Sequence, residues 1–165
     1  MDKMSALILE MIEFDAGEPE LIHHFIKVHG FVRLICEMEN IPPDVSETIE
    51  AAAVVHDIGI KVSMDKYGKS SGTLQEQEGP PYAGEMLKRL GFGEKLIDRV
   101  SFLVAHHHTY SNIDGIDYQI LVEADFLVNF YENQNDKEVI KNTCGKLFKT
   151  ASGREICARM FLAGK

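Results

Sequence analysis

Histidine and aspartate interrupt apolar segments at three separate places in this sequence. His29 takes a position in an apolar helical stripe, His56 and Asp57 follow the run "AAAVV", and Asp125 lies within "LVEADFLV". A buried imidazole or carboxylate without a partner costs several kcal/mol, so these side chains must satisfy one another or share a ligand. Two imidazoles and two carboxylates are a common ligand set for a divalent cation. We therefore predict a metal site made of His29, His56, Asp57 and Asp125.

A divalent cation in such a site would activate water. The cation would lower the pKa of a bound water molecule and neutralise charge on an attacked phosphoryl group. Asp57 can bind the ion and also orient that water, which predicts hydrolysis without a covalent nucleophile. The sequence contains no P-loop and no nucleophile-elbow motif that would favour another mechanism.

The elements that must position these residues are helical, because apolar residues recur every three or four positions and no run alternates as a strand does. The fold class we predict is all-α, a single-domain helical bundle over residues 1–165. Gly59 is expected to end the third helix, which lets His56 and Asp57 converge. The predicted helices are 3–14, 19–39, 44–57, 80–90, 94–108, 116–132, 136–148 and 152–163.

Between two of these helices, residues 61–79 are polar and contain several glycines. A connection of this length within one domain is typical of a functional loop. Its lysines and hydroxyls suit phosphate groups, and Lys66, Lys69 and Ser70 are the predicted substrate-binding side chains. The alternative is a solvated loop with no contact to a ligand.

The segment "VAHHHTY" ends a predicted helix with three histidines. The apolar stripe of that helix continues to His107 and His108 rather than to His106. These two side chains are predicted to face the site, and the alternative is an exposed last turn in which imidazolium meets the helix dipole. His23 and His24 lie outside the pattern and are predicted to be surface residues.

Composition limits the partners. The 26 acidic residues outnumber the 17 basic ones, and the sequence has no basic cluster that could follow a phosphate backbone. Long nucleic acid is therefore not expected to bind.

The three cysteines have no CxxC spacing, which favours a reducing compartment. The first residues include acids where a signal peptide would be basic, and no apolar run reaches the ~18 residues of a membrane helix. We expect a cytoplasmic protein that does not enter a membrane.

The order H…HD…D, with "AAAVVHDIGI" around the pair and "EADFLVN" around the last aspartate, resembles the HD superfamily of metal-dependent phosphohydrolases. The "ADFLVN" ending is similar to the ADRLHN of the guanosine-tetraphosphate hydrolases, and it adds Asn129 as a substrate-side residue. The resemblance covers roughly residues 22–129. It implies an all-α bundle with the metal ligands at the four positions predicted above. We expect the C-terminal helices, 136–163, to pack on that core.

Three departures from the family pattern affect the remaining roles. Many family members carry a lysine directly after HDIG, whereas here Ile60 follows and the lysine is Lys61, one position later. The resemblance suggests that Lys61 lies beside the substrate phosphate. Glu78 stands where two-metal members often carry a histidine, so Glu78, His107 and His108 are candidate ligands of a second ion. In one-metal members His107 or His108 would face the substrate instead. The "GYP" motif of cyclic-dinucleotide phosphodiesterases is missing.

The sequence thus predicts a phosphohydrolase acting on a small phosphorylated compound, a nucleotide, with one or two ions chosen from Mn, Fe, Co, Ni, Zn and Mg. Two alternatives fit the same residues. An HD-fold di-iron oxygenase would consume oxygen when loaded with iron. A non-catalytic nucleotide-binding module would bind its ligand tightly without releasing phosphate. The oligomeric state is open.

Overall fold

The computed structural model describes residues 1–164, and within them the chain forms α-helices and no β-strand. The predicted all-α fold class is confirmed. A π-helical turn over Ala158–Leu162 extends the last helix. The helices are α1 (Lys3–Phe14), α2 (Pro19–Met38), α3 (Pro43–Val55), α4 (Gly59–Tyr67), α5 (Gly72–Arg89), α6 (Glu94–Val104), α7 (Gly115–Glu132), α8 (Lys137–Leu147) and α9 (Ala151–Cys157).

One hydrophobic core connects these helices. Helix α2 packs against α3 and α7, while α5 packs against both α4 and α6. Helix α9 contacts α2 and α7, which brings the C-terminal helices onto the same core. Among residues 1–164, no helix combines the length and the apolar character that crossing a membrane requires.

The predicted loop 61–79 is wrong, because this segment is almost entirely helical. Helix α4 ends at Gly68, which adopts a left-handed conformation with φ 66° and donates its N–H to the Met64 carbonyl. Ser71 then caps α5 by accepting a hydrogen bond from the backbone N–H of Leu74 at 3.3 Å. Only four residues separate the two helices. Glycine and serine therefore act here as helix caps rather than as loop residues.

Gly59 has a different role from the predicted one. It is the first residue of α4, and the backbone stays in the right-handed helical region through His56 and Ile58. A Cβ atom at position 59 would lie 2.6 Å from the carbonyl oxygen of Gln75. Glycine is thus required for the close approach of α4 to α5, and this contact fixes the position of the segment that carries His56 and Asp57.

Candidate metal centre

Four side chains from three parts of the fold converge at one point. His24 comes from α2, His56 and Asp57 from the junction between α3 and α4, and Asp125 from α7. His56 is fully buried, and His24 and Asp125 are 7% and 5% exposed. Their convergence follows from the packing of α2 against both α3 and α7.

His24, His56 and Asp57 form a group whose donor separations are close to those between ligands of one cation, and Asp125 contacts both imidazoles. Nε2 of His24 lies 3.3 Å from Nε2 of His56, 3.1 Å from Oδ1 of Asp125 and 3.4 Å from Oδ2 of Asp57. Nε2 of His56 lies 3.4 Å from Oδ2 of Asp57 and 3.6 Å from Oδ1 of Asp125. Metal–ligand bonds of roughly 2.1 Å place neighbouring donors about 3.0–3.4 Å apart in octahedral or tetrahedral geometry.

Two of the histidine rings also form a hydrogen bond on the side that faces away from the cluster. These hydrogen bonds determine which ring nitrogen faces the cluster. Nδ1 of His56 lies 2.8 Å from the Ala53 carbonyl, and Nδ1 of His107 lies 2.8 Å from the Val104 carbonyl. A carbonyl only accepts, so each Nδ1 carries the hydrogen. In the neutral ring Nε2 then presents a lone pair, as a metal-ligating histidine does.

Burial and charge act in opposite directions on these groups. Burial lowers the pKa of His56, but the charge of Asp57 and hydrogen bonds to Asp57 and Asp125 raise that pKa well above its ordinary value. Burial opposes ionisation of Asp57, yet the His56 charge holds the pKa of that carboxyl well below its usual range. The pKa of Asp125 is also lowered, because hydrogen bonds from His24 and His56 outweigh its burial. The site therefore keeps two carboxylates ionised in a buried place, which suits a divalent cation.

A second group of potential ligands shares Asp57. Oδ1 of Asp57 lies 3.3 Å from Nε2 of His107, and His108 completes the group. Helix α5 holds the histidine segment in place. Glu76 accepts hydrogen bonds from the backbone N–H of His108 and from the hydroxyl of Thr109, both at 3.0 Å. The ring of His108 also lies 2.7 Å from the Gln75 side chain through Nε2 and Oε1.

Comparisons with known proteins identify the family and the fold. The family model for the HD domain matches residues 21–142. The chain belongs to the HD-domain family. A solved structure, described as that of a predicted HD superfamily hydrolase from an uncultured Thermotogales bacterium, shares the fold with a TM-score of 0.64 at 21% identity. The match covers 94% of this chain and 82% of that one. No curated protein matches the chain significantly.

His29 is not part of this HD-domain centre, and the residue in its place is His24. Nε2 of His29 lies 3.1 Å from Oε2 of Glu50, which Arg33 also approaches. His24 and His29 are five residues apart, about 140° around a helix of 100° per residue. Both are buried, but they lie on different faces of α2. The structure does not bring His29 to the cluster as the sequence predicted, and the prediction of His24 as a surface residue is wrong.

A sequence signal for His24 does exist. His24 stands four, eight and eleven positions before Val28, Val32 and Ile35, all of which are fully buried. It therefore belongs to an inward stripe of its own beside the stripe that contains His29. Its neighbour His23 is exposed, as predicted.

Glu78 is also outside both groups of potential ligands found among residues 1–164. Its carboxylate pairs with Lys66 and accepts a hydrogen bond from the Tyr67 hydroxyl at 2.8 Å. The Lys66 hydrogen bond lowers the pKa of Glu78. Glu78 lies inside α5, which begins at Gly72.

The remaining predicted residues differ in their contacts and exposure. Asn129 donates from Nδ2 to Oδ1 of Asp125 at 2.8 Å, so it supports a ligand. The hydroxyl of Ser70 accepts from Gln75 at 3.1 Å, while Lys69 is exposed in the link between α4 and α5. His106 stacks on Phe102 and takes no part in either group.

Proposed function

We propose that this HD-domain protein is a cytoplasmic metal-dependent phosphohydrolase that cleaves a phosphate ester or anhydride of a small molecule, a nucleotide. The observation that carries the proposal is that the Nε2 atoms of His24 and His56 lie 3.3 Å apart and each lies 3.1 to 3.6 Å from oxygens of Asp57 and Asp125. The cytoplasmic assignment is supported by three free, buried thiols, which are typical of a reducing compartment.

The mechanism divides the tasks among residues at the junction of α3 and α4. A bound divalent cation supplies a water of lowered pKa and neutralises charge on the phosphoryl group. Asp57 directs Oδ2 towards His24 and His56 and Oδ1 towards His107. Its ionised carboxylate is placed to orient the attacking water. His107 faces the same carboxylate through Nε2.

Lys61 supplies positive charge for the substrate in this proposal. Lys61 lies in the first turn of α4, four residues after Asp57. Lys69 is the second cation proposed to approach the phosphate. Lys66 is a weaker candidate than the sequence suggested, because its ammonium is paired with Glu78. A few local cations can bind one small anion on a protein with a net charge of −9.

The proposal includes a second ion, held by Asp57, His107 and His108. Asp57 is also one of the ligands proposed for the first ion. We expect His107→Ala to lower the number of bound ions towards one. Glu78→Gln should leave that number unchanged, because Glu78 is engaged with Lys66 and Tyr67. Elemental analysis of anaerobically purified protein measures both.

The test of the activity is a screen of nucleotides with each candidate metal added to the metal-free protein. Phosphate and nucleoside products should appear with at least one cation and should disappear in Asp57→Asn. Iron-dependent oxygen consumption in place of hydrolysis would favour an oxygenase. Tight nucleotide binding without products would favour a binding module, and either result would overturn the proposed hydrolysis.

A further inference from the structure

On the side of its ring that faces away from the cluster, His24 contacts Glu132, which in turn contacts Lys27. Its Nδ1 lies 2.7 Å from Oε2 of Glu132, and the other carboxylate oxygen of Glu132 accepts a hydrogen bond from Lys27 at 2.6 Å. Glu132 is the last residue of α7, and Lys27 follows His24 by three residues on α2. The three side chains form a continuous chain from the protein surface to the cluster.

This arrangement differs from that of the other two imidazoles. His56 and His107 donate to backbone carbonyls three residues earlier, so their own chain segments set their orientation. His24 depends on a side chain from a different helix. That helix also carries Asp125, seven residues or about two turns before Glu132. Glu132 therefore makes the orientation of His24 on α2 depend on α7, the helix that also carries Asp125.

A carboxylate that accepts from one nitrogen of an imidazole fixes the ring and the tautomer, and it raises the basicity of the other nitrogen. Glu132 can only accept when ionised, so Nδ1 of His24 carries the hydrogen. In the neutral ring Nε2 then carries the lone pair, 3.3 Å from Nε2 of His56 and 3.1 Å from Oδ1 of Asp125, where a cation would replace the hydrogen that Nε2 otherwise donates to Asp125. Without Glu132 the ring could rotate, or place its hydrogen on Nε2.

We infer that Glu132 is a positioning residue that makes His24 a ligand for a divalent cation, with Lys27 holding Glu132 in place. The inference rests on the proposed cation site, but it concerns residues outside the ligand set. Removal of an outer-side partner of a metal-ligating histidine typically costs about 10–100-fold in metal affinity.

The experiment measures the affinity of metal-free protein for Co²⁺, by competition with a chromophoric chelator and by the visible absorption of bound Co²⁺. Glu132→Ala should weaken binding of the first ion by about 10–100-fold and alter the absorption spectrum. Glu132→Gln keeps an acceptor oxygen without the charge, so it should restore part of the affinity. Lys27→Met should give a smaller loss in the same direction.

Glu10→Gln is the matched control. Glu10 also forms an ion pair between two helices, with Arg89, and its side chain is 26% exposed against 29% for Glu132. This variant should bind Co²⁺ like the unsubstituted protein. Thermal unfolding of all metal-free variants separates a lost ligand orientation from a lost fold.

The outcomes distinguish the inference from the proposed function. If Glu132→Ala and Glu132→Gln both bind Co²⁺ as tightly as the unsubstituted protein, this inference is overturned and the metal site stands. If the unsubstituted protein binds no Co²⁺, the proposed function and this inference are overturned together. Graded losses in the order predicted, absent from Glu10→Gln, support the positioning role.

Discussion

Asp57 is the residue on which the two groups of potential ligands meet. Its two oxygens face different partners, Oδ2 towards His24 and His56 and Oδ1 towards His107. A carboxylate can bridge two cations in this way, or bind one and orient a water for the other side. The neighbouring His56 is fully buried and held by its own helix, so Asp57 has the more adaptable side chain of the pair.

At the same scale, Asn129 tests whether a ligand needs its supporting hydrogen bond. Asn129 donates to Oδ1 of Asp125 at 2.8 Å, and hydrogen bonds to a charged group contribute about 1.5–3 kcal/mol. We expect Asn129→Ala to weaken Co²⁺ binding by about tenfold or more, measured by chelator competition. If Co²⁺ affinity is unchanged while KM for the substrate rises, Asn129 is instead the substrate-side residue that the sequence suggested.

The sequence predicts which residue types form the cluster, but for one histidine it predicts the wrong position. His56, Asp57 and Asp125 are recognisable because each interrupts an apolar segment. His24 and His29 lie on two adjacent buried stripes of α2, and the sequence alone does not say which stripe meets α7. The deciding partners, Glu132 for His24 and Glu50 for His29, come from other helices. Such partners become visible only when the helices pack.

At the scale of elements, the contact between α4 and α5 holds the HD segment. A Cβ atom at position 59 would lie 2.6 Å from the oxygen and 2.8 Å from the Cα of Gln75. Both atoms belong to backbone, so no side chain can move aside. Gly59→Ala should therefore cost about 1–3 kcal/mol of stability through overpacking, measured by urea unfolding, and should also weaken cation binding.

Gly145→Ala is the control for that substitution. Gly145 lies inside α8 with no atom within 4 Å of the added methyl group. Alanine in a helix interior is favoured over glycine by roughly 0.5–1 kcal/mol, so this variant should be at least as stable as the original protein. If Gly59→Ala were equally stable, the close approach of the two helices would not be needed.

The helices α4 and α5 also show where sequence reasoning stops. Helix α1 and the start of α2 were predicted at their observed residues, because their apolar periodicity and Pro19 are local signals. The segment 61–79 lacks that periodicity and carries three glycines, and two prolines follow it. Its helices are supported by packing of α5 against α4 and α6, and Pro80 and Pro81 are accommodated inside α5. Tertiary contacts override local propensity here.

At the scale of the whole molecule, Asp15 should make stability depend on pH. Asp15 is 2% exposed at the end of α1, and burial raises its pKa to about 6, partly offset by the charge of Lys61. The folded protein therefore keeps a proton that the unfolded chain releases near pH 3.8. Stability is lost as pH rises from 3.8 through about 6, and the penalty is fully present above that range.

Asp15→Asn removes this penalty. In metal-free protein at neutral pH we expect a gain of about 1–2 kcal/mol, or about 2–8 °C in Tm, and no gain below pH 3.8. Thermal unfolding across the pH range measures both. The exposed Glu13 lies on the same turn, so Glu13→Gln controls for the loss of one negative charge. A gain of equal size at acidic and neutral pH would show that the Asp15 charge is not the cause.

The central claim is that the cluster of His24, His56, Asp57 and Asp125 binds a divalent cation. The most direct test compares the number of tightly bound Co²⁺ ions per chain in His24→Ala and His29→Ala. Both variants remove a buried imidazole from α2, so a general effect on the fold would act on both. The structure predicts that His24→Ala loses the first ion and that His29→Ala retains it. Retention by His24→Ala together with loss by His29→Ala would contradict the account.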